Sequence, residues 1–186
     1  MKKISMILAL DSKNWLWKDG DLAWRIREDM KYFKNITTSP LSNFPPKGER
    51  IGQKQNAVIM WRKTWDSIPD KYKPLPGRIN AILSRSYTPE DDYWNICKYS
   101  SFKSAVEKLS KREDIANIFI IWGAQIYKLA LESEYLEKLY LTRVEWYFDC
   151  DVFMDIDFNQ FEELSIWEWQ ENKKGIKFRF EVYKRK

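Results

Sequence analysis

Residues 4–10 are almost continuously apolar (Ile4, Met6, Ile7, Leu8, Ala9, Leu10), broken only by Ser5 and stopped by Asp11. A short run of that kind is the pattern of a strand buried on both faces. Similar runs at 56–60, 78–84, 95–97, 117–121 and 136–144 are predicted as further strands. Between them the spacing changes to that of a helix. Residues 101–112 place Phe102, Ala105, Val106 and Leu109 on one face behind Ser101, a favourable N-cap, and are predicted helical. Shorter helices are predicted over 62–67, ahead of Pro69, and over 124–131. Residues 161–167 and 177–184 alternate in polarity and predict a terminal antiparallel hairpin. The stretches 11–21, 37–55 and 74–77 read as a polar loop, an extended surface connection and a turn. Strands separated by helices and ending in a hairpin predict an α/β fold. Its central sheet is mostly parallel, with about eight strands, an antiparallel C-terminal edge and about four flanking helices.

The most informative stretch is the helix predicted over roughly 25–35. Ile26, Asp29, Met30 and Phe33 share one face, while Arg25, Arg27, Lys31 and Lys34 fall elsewhere. A single carboxylate thus stands in an apolar stripe. Burying it unpaired is costly, so an inward-facing Asp needs a cation or hydrogen-bond donors. No neighbour on that face supplies them. A ligand with two adjacent N–H groups would, and the plainer alternative is a solvated helix edge.

Composition narrows the chemistry. The chain of 186 residues, 44% hydrophobic and 32% charged, is read as one globular domain spanning 1–186. The N-terminal apolar run is too short for a membrane span and lacks a small-x-small cleavage site, so a cytoplasmic location is expected. A net charge of +5 suits a polyanionic ligand without identifying it. Cys97 and Cys150 are too far apart for a zinc ribbon or a redox pair. The absence of histidine excludes Ser-His-Asp and Cys-His catalysis and most zinc enzymes, so no metal is expected. A nucleic-acid binder is disfavoured because the aromatics fall at core spacing and do not interleave with Lys and Arg.

With the strand ends marked, the chain resembles dihydrofolate reductases along nearly its whole length. The matching segments are 4–11, 18–24, 29–33, 58–69, 74–80, 121–127, 139–143 and 150–151, in the family's order. The resemblance implies a dihydrofolate-reductase-like fold and NADPH-dependent reduction of 7,8-dihydrofolate to tetrahydrofolate, in support of one-carbon and thymidylate metabolism. It implies that Asp29 receives the pterin ring with help from Thr142, and that Leu22 lies in a loop closing over the nicotinamide. Ile7, Met30, Phe33, Ile68, Leu75, Ile121 and Tyr127 would line the substrate site, and Arg78 would pair with the folate's glutamate tail. Ala9, Leu16, Thr64, Gly123, Ala124, Gln125 and Tyr127 would meet the nicotinamide and pyrophosphate. Arg62, Lys63, Ser84 and Arg85 would hold the 2′-phosphate. Taken singly, these cations also read as a solvated basic face, and Met30 and Phe33 as plain core. A monomer acting on a small molecule, without membrane or nucleic-acid partners and without a fused second enzyme, is expected.

The departures share one form. Trp17, Trp61 and Trp122 stand where the family has glycine, Trp122 in a Gly-Gly pair joined by a cis peptide, and Ala23 stands where it has proline. Indoles at these places are expected to obstruct the cofactor cleft. The chain has ten tryptophans and six glycines, whereas ordinary usage gives about 13 glycines at this length. Two readings stay open. Some tryptophans, with Trp15, Trp94 and Trp146 as further candidates, are misread UGA glycine codons, or the substitutions are genuine and the protein is an impaired or altered reductase. Trp24 and Trp65 match the family pattern as tryptophans. Two alternatives to the folate enzyme accompany these readings: a non-catalytic fold relative, and a related pyrimidine or pterin reductase.

Overall fold

The structure is a computed structural model that describes residues 1–18, 21, 22, 24, 26–38, 54–86, 95–145, 150 and 152–186, with backbone alone at 17, 18, 21 and 22. The long apolar runs become adjacent strands: β1 (Ile4–Asp11), β4 (Gln55–Trp61), β5 (Arg78–Leu83), β6 (Ile96–Tyr99), β7 (Ile115–Ile121) and β8 (Leu136–Glu145). At the chain's end lie β10 (Phe161–Ile166), β11 (Gln170–Glu171) and β12 (Lys177–Arg185). The sheet runs β10-β12-β8-β1-β7-β4-β5-β6, with β11 paired to β12. Every pairing from β8 to β6 is parallel, and β12 is antiparallel to both β8 and β10. The mostly parallel α/β sheet with an antiparallel C-terminal edge is therefore as expected from the sequence.

Four helices, α1 (Arg27–Thr38), α2 (Arg62–Ser67), α3 (Phe102–Lys111) and α4 (Ala124–Leu131), flank the sheet among the described residues. Ser101 caps α3 as its pattern required, its Oγ accepting from the Ser104 N–H at 3.2 Å. Alternation along the central strands divides the core in two. Met6, Leu8 and Leu10 pack with Ile59, Ile118 and Ile120 against Ala105, Val106 and Leu109 of α3 and Ile126 and Ala130 of α4. Ile7, Val58, Met60, Phe119 and Ile121 face the other way, onto Phe33 of α1. The parity of β1 thus decides which side chains face α1, where Asp29 lies.

Several boundaries differ from the sequence reading. α1 starts at Arg27 and runs on to Thr38, and β6 continues to Tyr99. The polar loop predicted over 11–21 contains β2 (Trp15–Lys18) and β3 (Asp21–Leu22), which form a second small sheet with β9 (Val152–Phe153). Short strands that pair across such a separation carry no local period to read. Most of the predicted connection over 37–55 lies outside the described residues, as do Ala23, Trp94, Trp146 and the side chains of Trp17 and Leu22. Among the described residues the cis peptide is Lys73–Pro74, and the Trp122–Gly123 bond is not cis. No helix there is long and apolar enough to cross a membrane.

Candidate active site

β1, β7 and β4 are neighbours in a parallel array, so their carboxyl ends open on one side of the sheet, where α/β folds place ligands. A cavity of about 20 Å³, room for little more than a water, lies there. Ile7 and Ala9 of β1, Leu16, Asp29, Met30 and Phe33 of α1, Trp122 and Tyr127 line it. Parallel pairing sets Ala9 of β1 opposite Thr142 of β8. From that register the Thr142 hydroxyl donates to Asp29 Oδ1 at 2.7 Å. Burial pushes the Asp29 carboxyl up from its ordinary 3.8 to about 6, and the Thr142 hydrogen bond opposes the rise. No described cation lies within ion-pair distance of it. The lone carboxylate of the apolar stripe does face inward, with a hydroxyl and a cavity as its company.

Other groups predicted for substrate gather around α1. Phe33, Ile68, Leu75 and Ile121 are buried in one cluster with Ile7. Met30 differs from a walled-in residue: it is 47% exposed and reaches the cavity from its rim. Arg78 is only 3% exposed, and burial draws its guanidinium down to about 10. Its Nη1 donates to Thr37 Oγ1 at 2.8 Å and its Nε to the Pro76 carbonyl at 3.2 Å, with Cζ 5.5 Å from the Phe33 ring centre. No described carboxylate pairs with it. Thr37 also donates to the Phe33 carbonyl at 2.7 Å, so α1 carries both Asp29 and the hydroxyl that steadies Arg78.

The predicted cofactor residues form two groups. Gly123, with φ +133°, begins α4 and turns the chain from β7 so that Ala124 and Gln125 occupy the helix's first turn. Thr64 Oγ1 donates to the Trp122 carbonyl at 2.9 Å. The buried Tyr127 hydroxyl accepts from the Trp122 N–H at 2.8 Å and donates to the Ile7 carbonyl at 2.7 Å, joining the ends of β7 and β1. Farther out, exposed Arg62 and Lys63 open α2, while Ser84 and exposed Arg85 follow β5. Ser86 joins this group: its Oγ lies 2.9 Å from Ser84 Oγ and accepts from Arg62 Nη1 at 3.4 Å.

Sequence reasoning missed Ser86, Thr37 and Asn80. Asn80 is fully buried within β5. Its Oδ1 accepts from the Leu75 N–H at 3.0 Å, while Nδ2 donates to the Leu75 carbonyl at 3.1 Å and the Arg78 carbonyl at 3.0 Å. An amide amid the apolar run Ile79-Asn80-Ala81-Ile82-Leu83 was the available signal. It holds the turn that leads into Arg78.

The donor set suits a phosphorylated dinucleotide at the basic end and at Gly123, but the indoles of Trp122 and Trp61 do not. Trp122 stacks on Phe33, with ring centres 4.7 Å apart and planes at 24°, inside the cavity. Trp61 Cδ1 lies 3.9 Å from where a Cβ on Gly123 would stand. Both indoles thus stand beside Gly123 or the cavity, the region where the sequence reading expects an obstruction.

The dihydrofolate reductase family profile matches residues 3–41 and 50–185. A putative dihydrofolate reductase of Caenorhabditis elegans is 36% identical over 194 residues, covering 97% of this chain and 95% of that protein. The dihydrofolate reductase of Sus scrofa is 31% identical over 193 residues, covering 100% of this chain and 99% of that protein. A bifunctional dihydrofolate reductase-thymidylate synthase of Glycine max is 35% identical over the whole of this chain, which spans 34% of that protein. Matches of this extent establish that it belongs to the dihydrofolate reductase family.

Proposed function

We propose that the chain reduces 7,8-dihydrofolate to 5,6,7,8-tetrahydrofolate with NADPH as the reductant. The observation that carries this reading is Asp29, a carboxylate in an apolar cleft with Thr142 as its bonded neighbour and a cavity before it. Its oxygens accept the paired N–H donors of a pterin, which balance the burial that otherwise disfavours the charged form. A carboxyl group raised to about 6 holds and releases a proton near neutral pH, so it supports delivery of a proton to N5 through water. Ile7, Phe33, Ile68, Leu75 and Ile121 exclude solvent around the ring, with Met30 at the rim and Tyr127 holding the strand ends together. Arg78, desolvated and without a described carboxylate, is disposed to pair with the substrate's glutamate tail.

When bound, NADPH supplies the hydride that C6 receives. Ala9 and Leu16 would meet its nicotinamide end, Thr64, Gly123, Ala124 and Gln125 its pyrophosphate, and Arg62, Lys63, Ser84 and Arg85 its 2′-phosphate. The segment that carries Leu22 would close over the site. The enzyme so proposed works as a monomer in the cytoplasm, in one-carbon metabolism.

The test is NADPH oxidation, followed by absorbance, with and without dihydrofolate. Consumption that depends on dihydrofolate and slows as pH rises past about 6, where Asp29 loses its proton, supports the reading. Absence of dihydrofolate-dependent consumption both in this chain and in its Trp61→Gly/Trp122→Gly variant refutes it. The stacking of Trp122 in the cavity favours a second reading, a non-catalytic relative, for which NADPH fails to bind at all.

A further inference from the structure

We infer that residues 61 and 122 are glycine in the protein as its own cells make it, each decoded from a UGA codon. For position 122 the backbone is the argument. Trp122 has φ +44° and the next residue, Gly123, has φ +133°. Left-handed backbone is natural for glycine and an outlier for a bulky L residue. The other described non-glycine residue with positive φ is Asn14, a type that tolerates it. The hydrogen bonds that hold this backbone do not involve the indole, which itself stacks on Phe33. The Trp122 N–H is fixed by the Tyr127 hydroxyl and its carbonyl by the Thr64 hydroxyl. Both bonds would be the same with no side chain present. The strained angle is therefore imposed by the surrounding fold, and the side chain is left to enter the cavity and stack on Phe33.

Position 61 is argued independently. Trp61 Nε1 is buried and has no hydrogen-bond partner among the described residues. Indole N–H groups in protein interiors ordinarily find one. The ring comes within 3.9 Å of where a Cβ on Gly123 would stand, at the start of α4. Trp24, 3% exposed within an apolar cluster, and Trp65, packed against the core beside α1, match the family pattern as tryptophans and serve as internal controls. The chain's ten tryptophans and six glycines run the same way. UGA differs from the glycine codon GGA by one base and is read as tryptophan in a common alternative code, which supplies the route.

The glycine assignment stands on the backbone and on the unpaired N–H; only its consequence for the cofactor rests on the proposed function. Protein purified from its native cells is digested with trypsin and the peptides weighed. Peptides 55–62 and 113–128 are expected to be lighter by the difference between tryptophan and glycine. Peptides 19–25 and 64–71, which carry Trp24 and Trp65, keep their full mass. Tryptophan in either of the first two peptides, or a UGG codon behind it, overturns the inference at that position. A second measurement compares the chain carrying both tryptophans with the Trp61→Gly/Trp122→Gly variant for NADPH binding, where at least a tenfold gain in affinity is expected. Glycine in the native peptides without that gain leaves the assignment standing and refutes the cleft as an NADPH site.

Discussion

Replacing Asp29 by Asn separates what the carboxyl group costs the fold from what it does for a ligand. Asn keeps the size of the side chain and retains an oxygen that accepts from Thr142, whose hydroxyl now lies 2.7 Å from Asp29 Oδ1. Burial raises the Asp29 carboxyl from 3.8 to about 6, so the native state binds this proton more tightly than the unfolded chain does. The sign follows from linkage: the favourable contribution is complete below about 3.8 and is lost as pH rises through about 6. At about 1.36 kcal/mol per pH unit between the two values, roughly 3 kcal/mol of stability disappears over that window. The amide of the variant has no such proton to lose. Urea unfolding of the parent and of Asp29→Asn at about pH 4 and about pH 8 should show the variant gaining about 2–3 kcal/mol on the parent at the higher pH. In the same preparations, dihydrofolate-dependent NADPH oxidation should fall by orders of magnitude. An equal stability difference at the two pH values would show that Asp29 is not desolvated in the native state, and the argument for its role would go with it.

Arg78→Gln should weaken binding of dihydrofolate roughly tenfold to a hundredfold, the worth of a charge-assisted pair at about 1.5–3 kcal/mol. A pteridine lacking the glutamate tail should bind as before, and equal losses for both ligands would place Arg78 in the scaffold alone. Asn80→Ala leaves the buried N–H and carbonyl of Leu75 unpaired and should cost about 3 kcal/mol in urea unfolding; a loss below about 1 kcal/mol would mean that water replaces the amide. Tyr127→Phe removes the hydroxyl between Ile7 and Trp122 and should cost about 2 kcal/mol. Exchange of the Trp122 amide hydrogen should quicken with it, and unchanged protection would exclude Tyr127 as the clasp between β1 and β7.

The parts of the fold legible in the sequence are those whose burial leaves a local mark. β1, β4, β5 and β7 are covered on both faces, so they appear as nearly continuous apolar runs, and α3 announces itself through Ser101 and its 3.6-residue spacing. Asp29 was legible too, as one charge in an apolar stripe. Its partner was not, since Thr142 lies 113 positions away and only the family resemblance joined the two. The same holds for Thr37 and Arg78, 41 positions apart. Periodicity also fails at the rim: Met30 shares the helical face of Phe33, yet the one is half exposed and the other buried, because the face turns outward at the cavity mouth. The small sheet joins two very short neighbouring strands, β2 and β3, to the distant β9, and strands of two to four residues leave no period to read.

Buried charges elsewhere in the chain support the proposal that the cavity binds a ligand. Glu181 of β12 is a deeply buried charge, 1% exposed. It is also fully answered: Arg179 Nε donates to it at 2.7 Å, the Tyr183 hydroxyl at 2.9 Å, and Arg143 Nη2 lies 3.7 Å away. That is how a fold treats a charge it keeps for structure. Asp29 has a hydroxyl and no described cation, and Arg78 has a hydroxyl, a carbonyl and no described carboxylate. The two opposite charges are not spent on each other, although both lie beside α1 and Phe33. Keeping a desolvated anion and a desolvated cation apart is unfavourable in the empty protein and becomes favourable with a molecule that carries donors at one end and a carboxylate at the other. Under the proposed function, folate is such a molecule.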